Sequence, residues 1–197
     1  MTDLVLIRHG PTEWNATGRV QGHTDVPLSE AGRARVRTWR VPTPFAGFER
    51  WASPLGRARE TAEILADGRA AIAFDARLKE MHWGAWEGET LAALRARYGE
   101  AMIRNESRGL DFRAPGAESP REVQARVLAW CAARARDGRP VLAVAHKGVL
   151  RVVMAAALGW DMTGAPPVEM AWDAAHHFTL DAGGAPRAVR LNVTLMP

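Results

Sequence analysis

Short uninterrupted apolar runs alternate along this chain with longer segments of helical period. Leu4 to Ile7 is a run of strand type, and Gly10-Pro11 behind it is a turn signal. Ser29 is a candidate N-cap for a helix reaching about Trp39, and Phe48 to Ala52 forms a second strand. The spacing predicts a helix that opens at Ser53-Pro54 and runs to about Leu65, with Pro54 in the first turn. Ala71 to Phe74 is a short third strand, and Thr90 to Tyr98 is helical, with Leu91, Leu94 and Tyr98 on one stripe. Ser107 to Ser119, rich in Gly and Arg, is expected to be an irregular loop. A long helix follows from Pro120 to Arg136, then a buried strand from Pro140 to Ala145 and a helix from Val149 to Leu158. Ala175 to Leu180 and Ala188 to Leu195 close the sheet as late strands. Alternation of this kind predicts an α/β fold in which a mostly parallel sheet carries helices on both faces.

Composition narrows this to one domain over residues 1–197: 197 residues with 47% apolar content suit a single core. Runs such as Val149 to Leu158 are too short to cross a bilayer, so no membrane partner is expected. The first residues carry Asp3 and a short run holding Arg8, without the features of a secretory leader, so a cytoplasmic address is the expectation. Cys131 is the lone cysteine, which excludes an intramolecular disulfide and cannot alone make a zinc site. Basic residues outnumber acidic ones, 26 to 22, and all but Lys79 and Lys147 are arginines. They are interleaved with acids, with no block of like charge, so no nucleic-acid partner is expected. The net charge would steer anionic substrates inward.

In parallel sheets, chemistry collects past the carboxyl ends of strands. The first strand ends Arg8-His9-Gly10, the second runs into Ser53 and then Arg57, and the strand from Pro140 ends His146-Lys147-Gly148. Lys79-Glu80 follows the short third strand. Two histidines, at least two arginines and one carboxylate therefore converge on one sheet edge. Arginine forks match phosphate oxygens in pairs and stabilise charge on a transferring phosphoryl group. A neutral imidazole is a competent nucleophile toward phosphorus, and nearby cations keep it neutral. Glu80 could protonate the departing oxygen and later activate water, and His146 could hydrogen-bond the phosphoryl oxygens. Neither metal nor cofactor is required, because the arginines carry the positive charge.

Five ordered blocks resemble the histidine phosphatase superfamily, the phosphoglycerate-mutase-like proteins. They are Arg8 to Asn15, Gln21 to Gly32, Ser53 to Thr61, Glu80 to Gly88 and His146 to Gly148, within a match over about residues 4 to 160. The resemblance implies an α/β fold in which His9 is transiently phosphorylated. It implies that Arg8, Arg57 and His146 form the phosphate pocket with His9, and that Glu80 is the proton donor. Asn15, Gln21 and Gly22 would line the same pocket. Lys147 and Gly148 join them as substrate-binding candidates, and Trp83 as pocket wall.

The run Glu80 to Gly88 resembles the short phosphatases more than the mutases, which favours hydrolysis of a small phosphorylated metabolite. A cofactor-dependent phosphoglycerate mutase and a silent phosphate-binding module are the alternatives. Lys147 stands where many relatives have a small residue, so it either reads a second anionic group or faces solvent. Glu13 and Glu87 compete with Glu80 for the acid role. His23, His82, His176 and His177 are expected in packing or surface roles, and Trp86 in core or pocket wall.

Overall fold

The computed structural model describes residues 1–196. Its six strands are β1 (Thr2–Arg8), β2 (Glu49–Ala52), β3 (Ile72–Phe74), β4 (Val141–Ala145), β5 (Ala174–Leu180) and β6 (Pro186–Thr194). They form one sheet in the order β3-β2-β4-β1-β5-β6. The β3-β2, β2-β4 and β4-β1 pairs are parallel, and β5 and β6 extend the sheet antiparallel. The α/β class with a mostly parallel sheet holds as expected.

Both central strands are covered on both faces, which is why they read as continuous apolar runs. Alternation within them divides the core in two. Leu4, Leu6, Val141 and Ala143 face α6 (Pro120–Asp137) and α7 (Lys147–Leu158), which contribute Val127, Trp130, Val149 and Val153. Val5, Ile7, Leu142 and Val144 face α2 (Glu30–Thr38) and α3 (Gly56–Ala66), which contribute Val36, Ala58 and Ala62. A one-residue slip of β1 would exchange these faces. At about 1.5–3 kcal/mol for each large apolar side chain taken from water, the register is strongly fixed.

Three segments differ from the sequence expectation. The helix expected from Ser53-Pro54 begins at Gly56 instead, with Leu55 extended at ψ 135°. Pro54 biases Ser53 toward extended backbone, and Ser53 N–H prolongs the β2-β4 ladder by donating to Val144 O at 3.0 Å. A short α1 (Glu13–Ala16) and an additional α5 (Glu100–Glu106) follow other cues. Thr12 and Asn15 form a capping box for α1, whereas α5 buries only Met102 and so shows no apolar period. Between them, α4 (Leu91–Tyr98) is capped by Thr90 as the pattern suggested. No helix among the described residues is long and apolar enough to cross a membrane.

Candidate active site

The register places the candidate site directly. Arg8 pairs with Ala145 and Ala52 with Val144, so the carboxyl ends of β1, β4 and β2 stop side by side. The next residues, His9, His146 and Ser53, therefore sit together at one edge. His9 N–H donates to Ala145 O at 3.0 Å, continuing the ladder by one rung. The rings of His9 and His146 lie 5.2 Å apart between centroids, and both are buried.

Each ring has a defined role in hydrogen bonding. His9 Nδ1 donates to Gly10 O at 2.7 Å, because a carbonyl can only accept. Its Nε2 is then the lone-pair nitrogen. Burial holds the His9 imidazole well below its ordinary value, and the Arg8 and Arg57 charges add to the effect. His146 is likewise held well below it by burial, then by Arg57. Ser53 Oγ lies 2.8 Å from His146 Nε2 and accepts from Leu55 N–H at 3.3 Å. Its hydroxyl proton is free to go to His146 Nε2, in the tautomer that carries the ring proton on Nδ1. That leaves His146 Nδ1, buried and without a partner among the described residues, as an N–H donor.

Arg57 comes from the first turn of α3 and is fully buried. Its two terminal nitrogens donate to Gly22 O at 2.8 Å and Thr24 O at 3.0 Å. Those carbonyls are fixed by Glu87, whose carboxylate accepts from the N–H groups of His23, Thr24 and Trp83. Burial raises the Glu87 carboxyl, but hydrogen bonds from Thr24 and the backbone outweigh it and bring it below the ordinary value. Gly22 sits at φ +55°, and a Cβ there would stand 2.0 Å from Glu87 Oε1. Only glycine fits this turn. Arg8 lies beside His9 and, like Arg57, is drawn below its ordinary value by burial, with Glu80 opposing.

Asn15 and Gln21 are oriented by Thr12. Asn15 Oδ1 accepts from Thr12 N–H at 3.0 Å, and Gln21 Oε1 lies 3.0 Å from the Thr12 hydroxyl. With both oxygens engaged, both amide groups keep N–H donors for the pocket that Asn15 and Gln21 line.

Glu80 reaches the same pocket from beyond β3. Arg126 donates to the carbonyls of Arg77, Lys79 and Glu80, while Glu118 holds the rest of its fork. Glu80 Oε1 accepts from Met81 N–H at 2.8 Å and Gly148 N–H at 3.0 Å, and Oε2 is 3.1 Å from the same Gly148 nitrogen. A Cβ on Gly148 would come within 2.2 Å of Glu80 Oε1. The acid and the start of α7 are therefore in direct contact.

The pocket is about 840 Å³, roomy for a small metabolite. Arg8, His9, Arg57 and Glu80 line it together with Asn15, Gln21, Gly22, Trp83, Lys147 and Gly148, whereas His146 is fully buried beside His9 and is not exposed on its wall. Trp14, Leu91, Phe112 and Met162 form an apolar outer wall, with Trp83 edge-on to Phe112 at 5.5 Å. A second hollow of about 550 Å³, lined by Trp86, Tyr98 and Arg104 among others, contains no histidine or carboxylate.

Other expected residues lie elsewhere. Glu13 is exposed on α1, and the rings of His23 and His82 meet at a 53° tilt with centroids 5.0 Å apart, with His23 Nε2 at 2.8 Å from Glu80 O. His176 is buried and His177 pairs with Asp3, so neither lines the pocket. Trp86 belongs to the core. Cys131 is buried, which pushes its thiol up to about 12. Ser53 has no site role in the sequence reading, where it ends the second strand and opens a family-like block, although a serine at the end of the strand beside the His146 strand is a visible signal.

The chain matches the model of the histidine phosphatase superfamily (branch 1) over residues 4–194. It is 33% identical over 167 residues to a 2,3-bisphosphoglycerate-dependent phosphoglycerate mutase 2 of Gloeobacter violaceus, covering 78% of this chain and 74% of that one. Among solved structures it resembles a mycobacterial glucosyl-3-phosphoglycerate phosphatase crystallised with VO3, with TM-score 0.81 and 28% identity over the whole of both chains. It also resembles an Entamoeba histolytica phosphoserine phosphatase in complex with 3-phosphoglyceric acid, with TM-score 0.82 and 26% identity over 98% of each chain. With two buried histidines at the strand ends, half-buried Arg8 beside one of them and buried Arg57 in the first turn of α3, all within its motifs, this chain belongs to the histidine phosphatase superfamily.

Proposed function

We propose that the protein is a phosphomonoesterase that hydrolyses a small phosphorylated metabolite through a phosphohistidine at His9. The observation that carries this reading is the His9 tautomer: Nδ1–H is committed to Gly10 O, so Nε2 presents its lone pair beside two arginines.

In the first half-reaction His9 Nε2 attacks phosphorus as the P–O bond to the leaving group breaks. Arg8, Arg57 and the Nδ1–H of His146 offset the charge on the three equatorial oxygens. Glu80, protonated, gives its proton to the departing oxygen through Oε2, the oxygen with fewer hydrogen bonds. In the second half-reaction the Glu80 carboxylate takes a proton from water as that water attacks the phosphohistidine. Inorganic phosphate leaves and His9 is regenerated. Asn15 and Gln21 offer N–H donors to the same oxygens.

The mutase-like relative supports a second reading, in which the phosphoryl group returns to another hydroxyl of a phosphoglycerate. The two differ in the fate of phosphate. A panel of phosphorylated metabolites, with released phosphate measured and no bisphosphate primer added, should give turnover, and enzyme denatured under alkaline conditions should contain acid-labile, base-stable phosphohistidine that His9→Ala lacks. Transfer without release, dependent on a bisphosphate primer, would establish the mutase. Labelling that survives His9→Ala would move the nucleophile, with His146 next in line.

A further inference from the structure

The two arginines at the site are secured in different ways. Arg57 is held by two carbonyls, whereas the Arg8 guanidinium makes no hydrogen bond or ion pair with any other side chain or carbonyl among the described residues, and its Nε is buried without a partner. Its neighbour is a ring. Arg8 Cζ lies over the Trp172 indole, 5.7 Å from the centroid, and Lys147 Nζ lies over the same indole at 5.0 Å. Two cations that repel each other thus lie over one indole, whose quadrupole attracts both.

Trp172 follows a loop that is itself tied down. Asn192 Oδ1 accepts from Ala171 N–H at 2.8 Å, and Asn192 Nδ2 donates to Glu169 O at 2.9 Å. His176 Nδ1 accepts from Asn192 N–H at 3.3 Å, so its Nε2–H donates to Ala171 O at 3.1 Å. Asn192 occupies the left-handed region at φ +58°, where the β5-β6 register shifts. The bulge turns the Asn192 amide onto the loop. The antiparallel edge of the sheet, which contributes no residue to the chemistry, thereby fixes the ring that faces Arg8.

We infer that Trp172 is the positioning residue of Arg8, holding its fork toward the phosphoryl oxygens by a cation–π contact where the protein supplies no hydrogen bond. This rests on the phosphoryl-transfer reading of the site. Before substrate arrives, a fork satisfied by a ring keeps all its N–H donors unspent, which a carboxylate partner would not allow.

The test is equilibrium binding of orthovanadate, which needs no turnover. Trp172→Leu should weaken it by roughly 2- to 30-fold, the span of a cation–π contact from exposed to desolvated. Trp172→Phe, which keeps a π face, should recover part of that loss. In an Arg8→Met background Trp172→Leu should cost almost nothing more, whereas in a Lys147→Met background the loss should persist. Equal losses in the Arg8→Met and native backgrounds, or a Phe variant as weak as the Leu variant, would overturn the assignment and leave Trp172 as packing. Wild-type protein that binds no vanadate would overturn the phosphate-site reading as well. Failure at Trp172 alone would leave that reading intact.

Discussion

The Ser53 hydroxyl stands 2.8 Å from Nε2 of His146, joining the ends of two parallel strands through one proton. Because Ser53 can donate there, His146 keeps its proton on Nδ1. Ser53→Ala removes that donor and leaves a buried nitrogen unsatisfied, a cost of about 1–3 kcal/mol. We expect kcat/KM to fall by roughly 5- to 100-fold, with steady-state kinetics as the measurement. Nitrogen NMR of the imidazole should show the Nδ1–H tautomer in the native protein and a mixture in the variant. An unchanged tautomer would remove Ser53 from the mechanism.

Three carboxylates competed for the acid role, and their surroundings separate them. Glu80→Gln should slow single-turnover phosphorylation by alkyl phosphates by about 10²- to 10⁴-fold. Nitrophenyl phosphate, whose leaving group needs little protonation, should suffer much less. Glu87→Ala should act differently, since Glu87 fixes the carbonyls that hold Arg57. Its loss should weaken phosphate binding about equally for both substrate types. Equal losses in Glu80→Gln would assign Glu80 to pocket shape alone.

Arg8 and Arg57 bring positive charge to the pocket they line, and no cluster of three or more potential metal ligands occurs among the described residues. Activity should therefore survive EDTA followed by dialysis. Restoration of a lost activity by a divalent ion would argue for metal-based charge stabilisation instead.

Acid should destabilise the fold through its buried histidines. His9 and His146 are held well below the ordinary 6.5, and burial brings His176 to about 4 against a weaker opposing bond from Ala171. Between 6.5 and those lower values the unfolded chain binds protons that the folded chain refuses. Stability is therefore full above 6.5 and falls as pH drops, by about 1.4 kcal/mol per pH unit for each such group. Urea midpoints between pH 7 and pH 5 should show this slope. His176→Gln should reduce it by one group's share, and an unchanged slope would mean that His176 is protonated in the fold.

The candidate edge was legible because parallel strands align their carboxyl ends, so His9, His146 and the segment leading to Arg57 had to converge. Glu80 was legible in position, although its anchoring by Arg126 joins α6 to the backbone after β3 and follows no periodicity. α5 leaves no trace in the sequence because it buries a single residue, and a helix with one buried side chain has no apolar stripe. Ser53 was hidden by a rule that usually holds: Ser-Pro opens helices, and here the strand register retained it. Trp172 carried no local signal at all. Its meaning depends on a bulge in β6 that only the folded sheet places against the loop.

The pairing of β1 with β4 brings His9 and His146 together only when the first and the fourth-to-last elements of the chain have met. Contacts between segments so distant in sequence are among the slowest to form. Enzymatic turnover is accordingly a reporter of completed folding rather than of collapse or helix content. A chain synthesised only as far as α6 possesses His9, both arginines and Glu80, yet lacks the strand that completes their setting. Hydrolysis during refolding should therefore begin only once β4 has inserted, after the helical signal has already risen.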